Sequence, residues 1–243
     1  MQIGNKCFEV SLEDRNKYYF YIKKFLKKNF IGTQHEWESH IKNIFSIFEK
    51  NLKSFHPKNM LDVGCGEGDR TIRIADYFNI PSDKIYAVDY NKRHLLECRK
   101  RFNATEADLE IDDLPFKSNN FDLVVCNQVL EHLKGYKKAI DDIVRVTNIK
   151  GYIVLGIPNL AHLINRFIFL AGIQPMCIRL DGHHVRGFTH KAFVDLLNSY
   201  KNIELIDYRG ALMYPFPFLF SKILAILFCG MSGYICYLLR KKY

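Results

Sequence analysis

Leu61-Asp62-Val63-Gly64-Cys65-Gly66-Glu67-Gly68 is a short apolar run that breaks into three alternate glycines and continues into helix-like sequence. That order predicts a strand, a turn free of side chains and the start of a helix. Glycine admits positive φ and lets a ligand approach the main chain, while a helix N-terminus behind the turn offers unpaired N–H groups to an anion. A surface turn can also carry three glycines, so the neighbouring sequence decides. Thr71, Ile72, Ile74, Ala75 and Phe78 follow in a helical pattern, and Ile85-Tyr86-Ala87-Val88-Asp89 reads as a second strand ending in an acid, 25 residues beyond Gly64. An acid at the tip of the second strand of a βαβ unit is placed to accept hydrogen bonds from ribose hydroxyls. Gly68 arrives one residue early for the dinucleotide pattern G-x-G-x-x-G, and Asp69-Arg70 follow it, which argues against a standard NAD site. The corner is read as a pocket for a nucleoside carrying an anionic group.

Outward from this corner the chain divides into three parts of one domain, 1–58, 59–158 and 159–243. Residues 12–55 read as helical, with Tyr18, Tyr19, Tyr21, Ile22, Phe25 and Leu26 at helical spacing and a capping box at Thr33-x-x-Glu36. Strands are predicted near 59–63, 84–89, 104–108, 121–126 and 151–157, with helices near 70–79, 91–102 and 134–147 between them. Alternation of this kind implies a parallel sheet covered by helices on both faces, with ligands at the carboxyl ends of the strands. A helix over 190–200 and strands over 203–208 and 234–239 follow.

The residues resemble the class I S-adenosylmethionine-dependent methyltransferases motif by motif over roughly residues 58–158. LDVGCGEGD at 61–69 matches the glycine loop, VDYN at 88–91 the ribose acid, and ADLEIDDLPFKSNNFDLVVCNQVLEHL at 107–133 the third and fourth strands. The resemblance implies a doubly wound, mostly parallel seven-stranded Rossmann-like sheet with an N-terminal helical extension, and S-adenosylmethionine as cofactor. It implies Asp62, Gly64, Cys65, Gly66 and Gly68 around the methionine part of the cofactor, and Asp89 with Tyr90 at the ribose. Asp108 and Leu109 then flank the adenine, and Asn127 lies near the amino-acid group.

Further along, Pro158-Asn159 and His184-Val185-Arg186-Gly187-Phe188-Thr189, together with Glu131-His132, resemble a subset of the family with P-N, H-x-x-x-F-T and E-H motifs. Histidine takes protons near neutral pH, and a carboxylate with imidazoles can also hold a divalent cation that acidifies a bound hydroxyl. His132, His184 and Glu131 are the catalytic candidates, against the alternative that they cap a helix and tie down a loop. Some relatives, including ubiquinone-pathway O-methyltransferases and small-RNA 2′-O-methyltransferases, bind metal through E-x-x-E-H. Here the first position is Gln128, a weaker ligand for a hard cation, so no metal is assigned and a divalent ion stands as the alternative.

The net charge of +9 is uneven: residues 1–58 carry +5, 59–158 carry −2 and 159–243 carry +6. Basic flanks suit an acidic substrate, an anionic membrane surface or nucleic acid, and equally well a solvated helix surface. The seven cysteines are scattered and never spaced C-x-x-C, which points away from disulfides and zinc and toward a cytoplasmic setting. The N-terminus has no apolar signal segment. Between Lys222 and Arg240 lie 17 uncharged residues, at the lower edge of a bilayer span. If Tyr234–Leu239 forms a strand no span remains, and 214–228 becomes an apolar surface segment that contacts membrane or a lipid-like substrate. The function read from the sequence is methyl transfer to an oxygen of a small molecule, glycan or lipid-linked intermediate. RNA methylation and a non-catalytic nucleotide-binding role are the alternatives.

Overall fold

The computed structural model describes residues 33–243 apart from 179, 181, 215 and 217. One sheet contains β1 (Met60–Val63), β2 (Ile85–Asp89), β3 (Asn103–Glu106), β4 (Phe121–Asn127), β5 (Thr147–Pro158), β6 (Ile203–Ala211) and β7 (Tyr234–Lys241). Their order is β3-β2-β1-β4-β5-β7-β6; neighbours pair parallel as far as β5, and β7 runs antiparallel to both β5 and β6. This is the seven-stranded Rossmann-like architecture expected from the sequence. The chain enters at β1 in mid-sheet, winds out to β3, then returns to β4 on the other side of β1. Connections leaving the carboxyl ends of β1 and β4 diverge there and open a crevice.

The helices are α1 (Thr33–Asn51), α2 (Asp69–Phe78), α3 (Lys92–Cys98), α4 (Tyr136–Val146), α5 (Leu163–Leu170), α6 (His190–Ser199) and α7 (Phe218–Leu227). Ile41, Ile44, Ile47 and Phe48 of α1, Ile74, Ala75 and Phe78 of α2, and Leu95 and Cys98 of α3 bury one face of the sheet. Ala139, Ile140, Ile143 and Val144 of α4 and Phe193 and Leu197 of α6 bury the other. These positions recur every three or four residues, so each helix needs only one apolar stripe. The central strands need apolar residues throughout: every residue of β1 is buried, because helices cover both of its sides.

Several boundaries differ from expectation; β6 and β7, for example, run on to Ala211 and Lys241. β3 covers Asn103–Glu106 rather than 104–108, because the chain turns at Asp108, whose side chain accepts from the Glu110 N–H at 3.0 Å. The helix expected over 91–102 is α3, which starts after Asn91, whose side chain accepts from the Arg93 N–H, and ends at Cys98 in a tight turn. β5 begins at Thr147, directly after α4, and pairs with Phe121 before an irregularity at Phe121/Leu123. Of the helical reading at 12–55, residues 12–32 and the side chains of the Thr33-x-x-Glu36 box lie outside the described part. Tyr234 does open the last strand, and no helix among the described residues is long and apolar enough to cross a membrane.

Candidate functional site

The carboxyl ends of β1, β2 and β4 carry the glycine corner and its partners. Leaving β1, the Gly64 and Cys65 N–H groups donate to the Val88 carbonyl at 2.8 and 3.1 Å, which pins the loop across the tip of β2. Gly64 has φ +76°, and a Cβ there would strike the Val129 side chain. Gly66 has φ +56° and open space where its Cβ would stand, which leaves the main chain bare toward the crevice. Asp89 is buried and accepts from the Gly66 N–H and the Asn91 N–H, each at 2.8 Å. A carboxylate has about four lone-pair directions, so two remain for ribose hydroxyls.

The other expected cofactor residues fall in several environments. A narrow cleft is lined by Gly64, Val88, Asp89, Tyr90, Ala107, Asp108, Leu109 and Leu133, which brings Asp89, Tyr90, Asp108 and Leu109 together. Glu110 points elsewhere, accepting from the Lys134 and Gly135 N–H groups ahead of α4. Asp62 is buried and accepts from the Thr71 hydroxyl at 2.5 Å, tying β1 to the first turn of α2; burial raises its pKa. The Cys65 side chain lies beneath the loop, 3.9 Å from the Cys98 sulfur. Asn127 accepts from the buried Tyr234 hydroxyl at 2.6 Å, while its Nδ2 is buried with no hydrogen-bond partner. Gly156 of β5 stands opposite Asn127 and leaves the room its amide occupies.

After β4 the chain makes an abrupt turn. Gln128 has φ +60°, a strained value for a side-chain-bearing residue, and its N–H donates to the Gly156 carbonyl at 2.8 Å. A short 3-10 turn, Leu130–His132, then buries Glu131 completely, with neither carboxylate oxygen hydrogen-bonded. Burial pushes the Glu131 carboxyl up to about 7, and the positive charge of Arg70 acts against that rise. His132 Nδ1 lies 3.0 Å from the His183 carbonyl, and His184 Nδ1 lies 2.7 Å from the Cys177 carbonyl. Carbonyls only accept, so both Nδ1 atoms carry protons, which leaves Nε2 as the atom of each ring that can take a proton or bind a cation. The two rings meet edge to face, 4.7 Å between centroids, and His132 Nε2 is 3.9 Å from Glu131 Oε1. One donor atom from each of Glu131, His132 and His184 lies within 4.8 Å of the others.

That donor set fits a divalent cation on its chemistry. The carboxylate oxygens are otherwise orphaned, and each histidine is oriented through its second nitrogen, as metal-binding histidines usually are. It equally fits a proton acceptor, since burial lowers the pKa of His184 and keeps its imidazole neutral.

Residues 61–155 match the family model described as "Methyltransferase domain". Those residues are a class I S-adenosylmethionine-dependent methyltransferase domain. An uncharacterized protein of Methanocaldococcus jannaschii is 36% identical over 134 residues, 52% of this chain and 53% of its own length. Norajmaline N-methyltransferase of Rauvolfia serpentina is 33% identical over 98 residues, 37% of this chain and 32% of its own. This chain thus spans about half, or about a third, of the length of these relatives. A SAM-dependent methyltransferase from Thermotoga maritima shares the fold with a TM-score of 0.59 and 18% identity, covering 94% of this chain and 97% of that one.

The carboxyl end of the sheet in the methyltransferase domain offers an open main chain at Gly66, a carboxylate with spare acceptors at Asp89 and an orphaned amide at Asn127. In the sequence Arg70 stands only as a departure from the NAD pattern and not as a candidate site residue. It sits in the first turn of α2, half-buried, and its charge is felt at Asp62, Glu131 and Tyr234. The signal was its position: a cation one residue into the helix that follows an anion-binding turn.

Proposed function

We propose that this methyltransferase acts on a hydroxyl of a small molecule, glycan or lipid-linked acceptor. The observation that carries the reading is the convergence of Glu131, His132 and His184 at the carboxyl end of β4. S-adenosylmethionine supplies an electrophilic methyl group, and displacement at that carbon needs alignment more than covalent help. A hydroxyl must also lose its proton as the methyl arrives, because the oxonium otherwise formed is strongly acidic, whereas a neutral amine can take the methyl first and lose its proton afterwards. The free Nε2 atoms of His132 and His184 are suited to receive that proton. A divalent cation held by Glu131, His132 and His184 would lower the pKa of a bound hydroxyl. Asp89 and the Gly66 main chain hold the cofactor, and Asn127, kept in place by Tyr234, meets its amino-acid end.

The test uses isotopically labelled S-adenosylmethionine and cell extract separated into lipid, glycan, RNA and small-molecule fractions, with the labelled atom identified by mass spectrometry. Label on oxygen outside the RNA fraction is expected. Label on nitrogen, or in RNA, overturns the reading. His132→Ala and His184→Ala are expected to lower kcat by about 100-fold or more while the heat shift produced by S-adenosylmethionine is unchanged. Activity that collapses with EDTA and returns with one divalent ion assigns the cluster to a cation; insensitivity to EDTA assigns it to proton transfer.

A further inference from the structure

We propose that α5 and α7 together form a docking face for the surface of an anionic phospholipid bilayer. The proposal stands whether or not the acceptor is a hydroxyl. Sheet topology puts both helices at the catalytic end of the molecule: α5 follows the carboxyl end of β5, and α7 joins the end of β6 to the start of β7, where Ala211, Tyr234 and Pro158 lie in register. The segment leading into α5 is bonded to the turn that follows α7. The Asn159 amide donates to the Gly230 and Ser232 carbonyls at 2.9 and 2.8 Å, and the Arg166 guanidinium lies 3.4 Å from the Gly230 carbonyl.

On α7, Ser221 and Ala225 face the protein, with the Ser221 hydroxyl accepting from the Met213 N–H. Phe220, Ile223, Ile226 and Leu227 face outward, with Phe220 and Ile226 each 62% exposed. On α5, Phe167 and Leu170 do the same, Leu170 being 84% exposed. So much apolar surface on two short helices at one end of the molecule is unusual for a surface left in water. At eight and ten residues they lie along an interface and cannot span one.

Charge selects the occupant. The exposed cations of these helices are Arg166 and Lys222, and neither helix contains an acid. From Tyr208 to Tyr243 there is no Asp or Glu at all, and between 159 and 194 the only one is Asp181. An apolar face with a cationic fringe matches the interface of an anionic leaflet. Against a second copy of this chain it would bring cation to cation.

The experiment is flotation of the full chain with phosphatidylcholine vesicles with and without phosphatidylglycerol, at low and high salt. Recovery with the phosphatidylglycerol vesicles is expected, weakening as salt rises. Ile223→Asn/Ile226→Asn is expected to reduce binding about tenfold, and Lys222→Glu, at an exposed position that leaves the melting temperature unchanged, about five-fold. Because Lys222→Glu retains the fold, its result stands even if the double variant does not fold. Failure to float with any vesicle, or unchanged flotation of both variants, overturns the proposal. So does a dimer in sedimentation equilibrium that dissociates on Lys222→Glu, since the face would then belong to a second copy.

Discussion

At the glycine corner, each residue is constrained by a different neighbour. Gly64 is held at φ +76° with Val129 occupying the place of its Cβ, so Gly64→Ala combines a left-handed backbone with an overlap. A loss of about 1–2 kcal/mol from the backbone alone, with disappearance of the S-adenosylmethionine heat shift, is the expected outcome in a thermal melt. Gly66→Ala meets open space and should keep more of the fold while still blocking the cofactor, so the two variants separate folding from binding. Arg70 makes a different claim. As a cation in the first turn of α2 it adds to the partial positive charge of the helix N-terminus, where the carboxylate of methionine would sit. Arg70→Met is expected to weaken S-adenosylmethionine binding by about tenfold, roughly 1.4 kcal/mol, measured by calorimetry. An unchanged affinity would assign Arg70 to the electrostatics of Asp62 and Glu131 instead.

Between elements, one short side chain joins the motifs that the sequence showed only as separate words. Asn159, one residue past β5, is buried; its amide donates to Gly230 and Ser232, and its oxygen accepts from the Ala161 and His190 N–H groups. The Leu160 N–H donates to the Phe188 carbonyl at 2.7 Å, so P-N and F-T meet side by side and fix the path of the loop carrying His184. Asn159→Leu leaves several buried groups unpaired. It should cost about 3 kcal/mol or more, which for a chain of this size is a fall in Tm of several degrees. Methyl transfer should fall further than S-adenosylmethionine binding, because the cofactor corner on β1 and β2 is untouched. The elements themselves were legible where one periodicity governed them: the apolar β1 and β2, the stripes of α2 and α4, the apolar β7. The edge strand β3 was misplaced by its ends because exposed residues there carry no alternation to read. The burial of Glu131 was not legible at all, since it follows from the αL turn at Gln128, which no local composition announces. Arg70 was overlooked for a related reason: its importance depends on the groups that the fold gathers around it.

Across the whole molecule, α1 is coupled to the site through the sheet. His40 of α1 stacks on Tyr234 with 4.0 Å between ring centroids, and Tyr234 holds Asn127. Burial, with the charge of Arg70 adding to it, lowers the His40 pKa to about 3, and burial alone lowers that of His162, at the base of α5, to about 4. Both are neutral in the folded chain at pH values where the unfolded chain, with an ordinary histidine pKa near 6.5, is protonated. The unfolded state therefore binds more protons between about pH 4 and 6.5, and stability falls as the pH is lowered through that window. Each histidine contributes about 1.4 kcal/mol per pH unit. Glu131 works the other way: its carboxyl, raised to about 7 by burial, takes up a proton in the folded chain first and gains stability on acidification, offsetting part of the loss. A variant isolates one histidine from this sum. His40→Phe keeps an aromatic ring against Tyr234 and removes the titration, so its unfolding free energy should fall less steeply than wild type between pH 6.5 and 4.5, by about 1.4 kcal/mol per unit. Urea unfolding of chelator-treated protein at a series of pH values measures it. Parallel slopes for the two proteins would mean that His40 is protonated in the folded chain and that the α1 contact is no barrier to its charge.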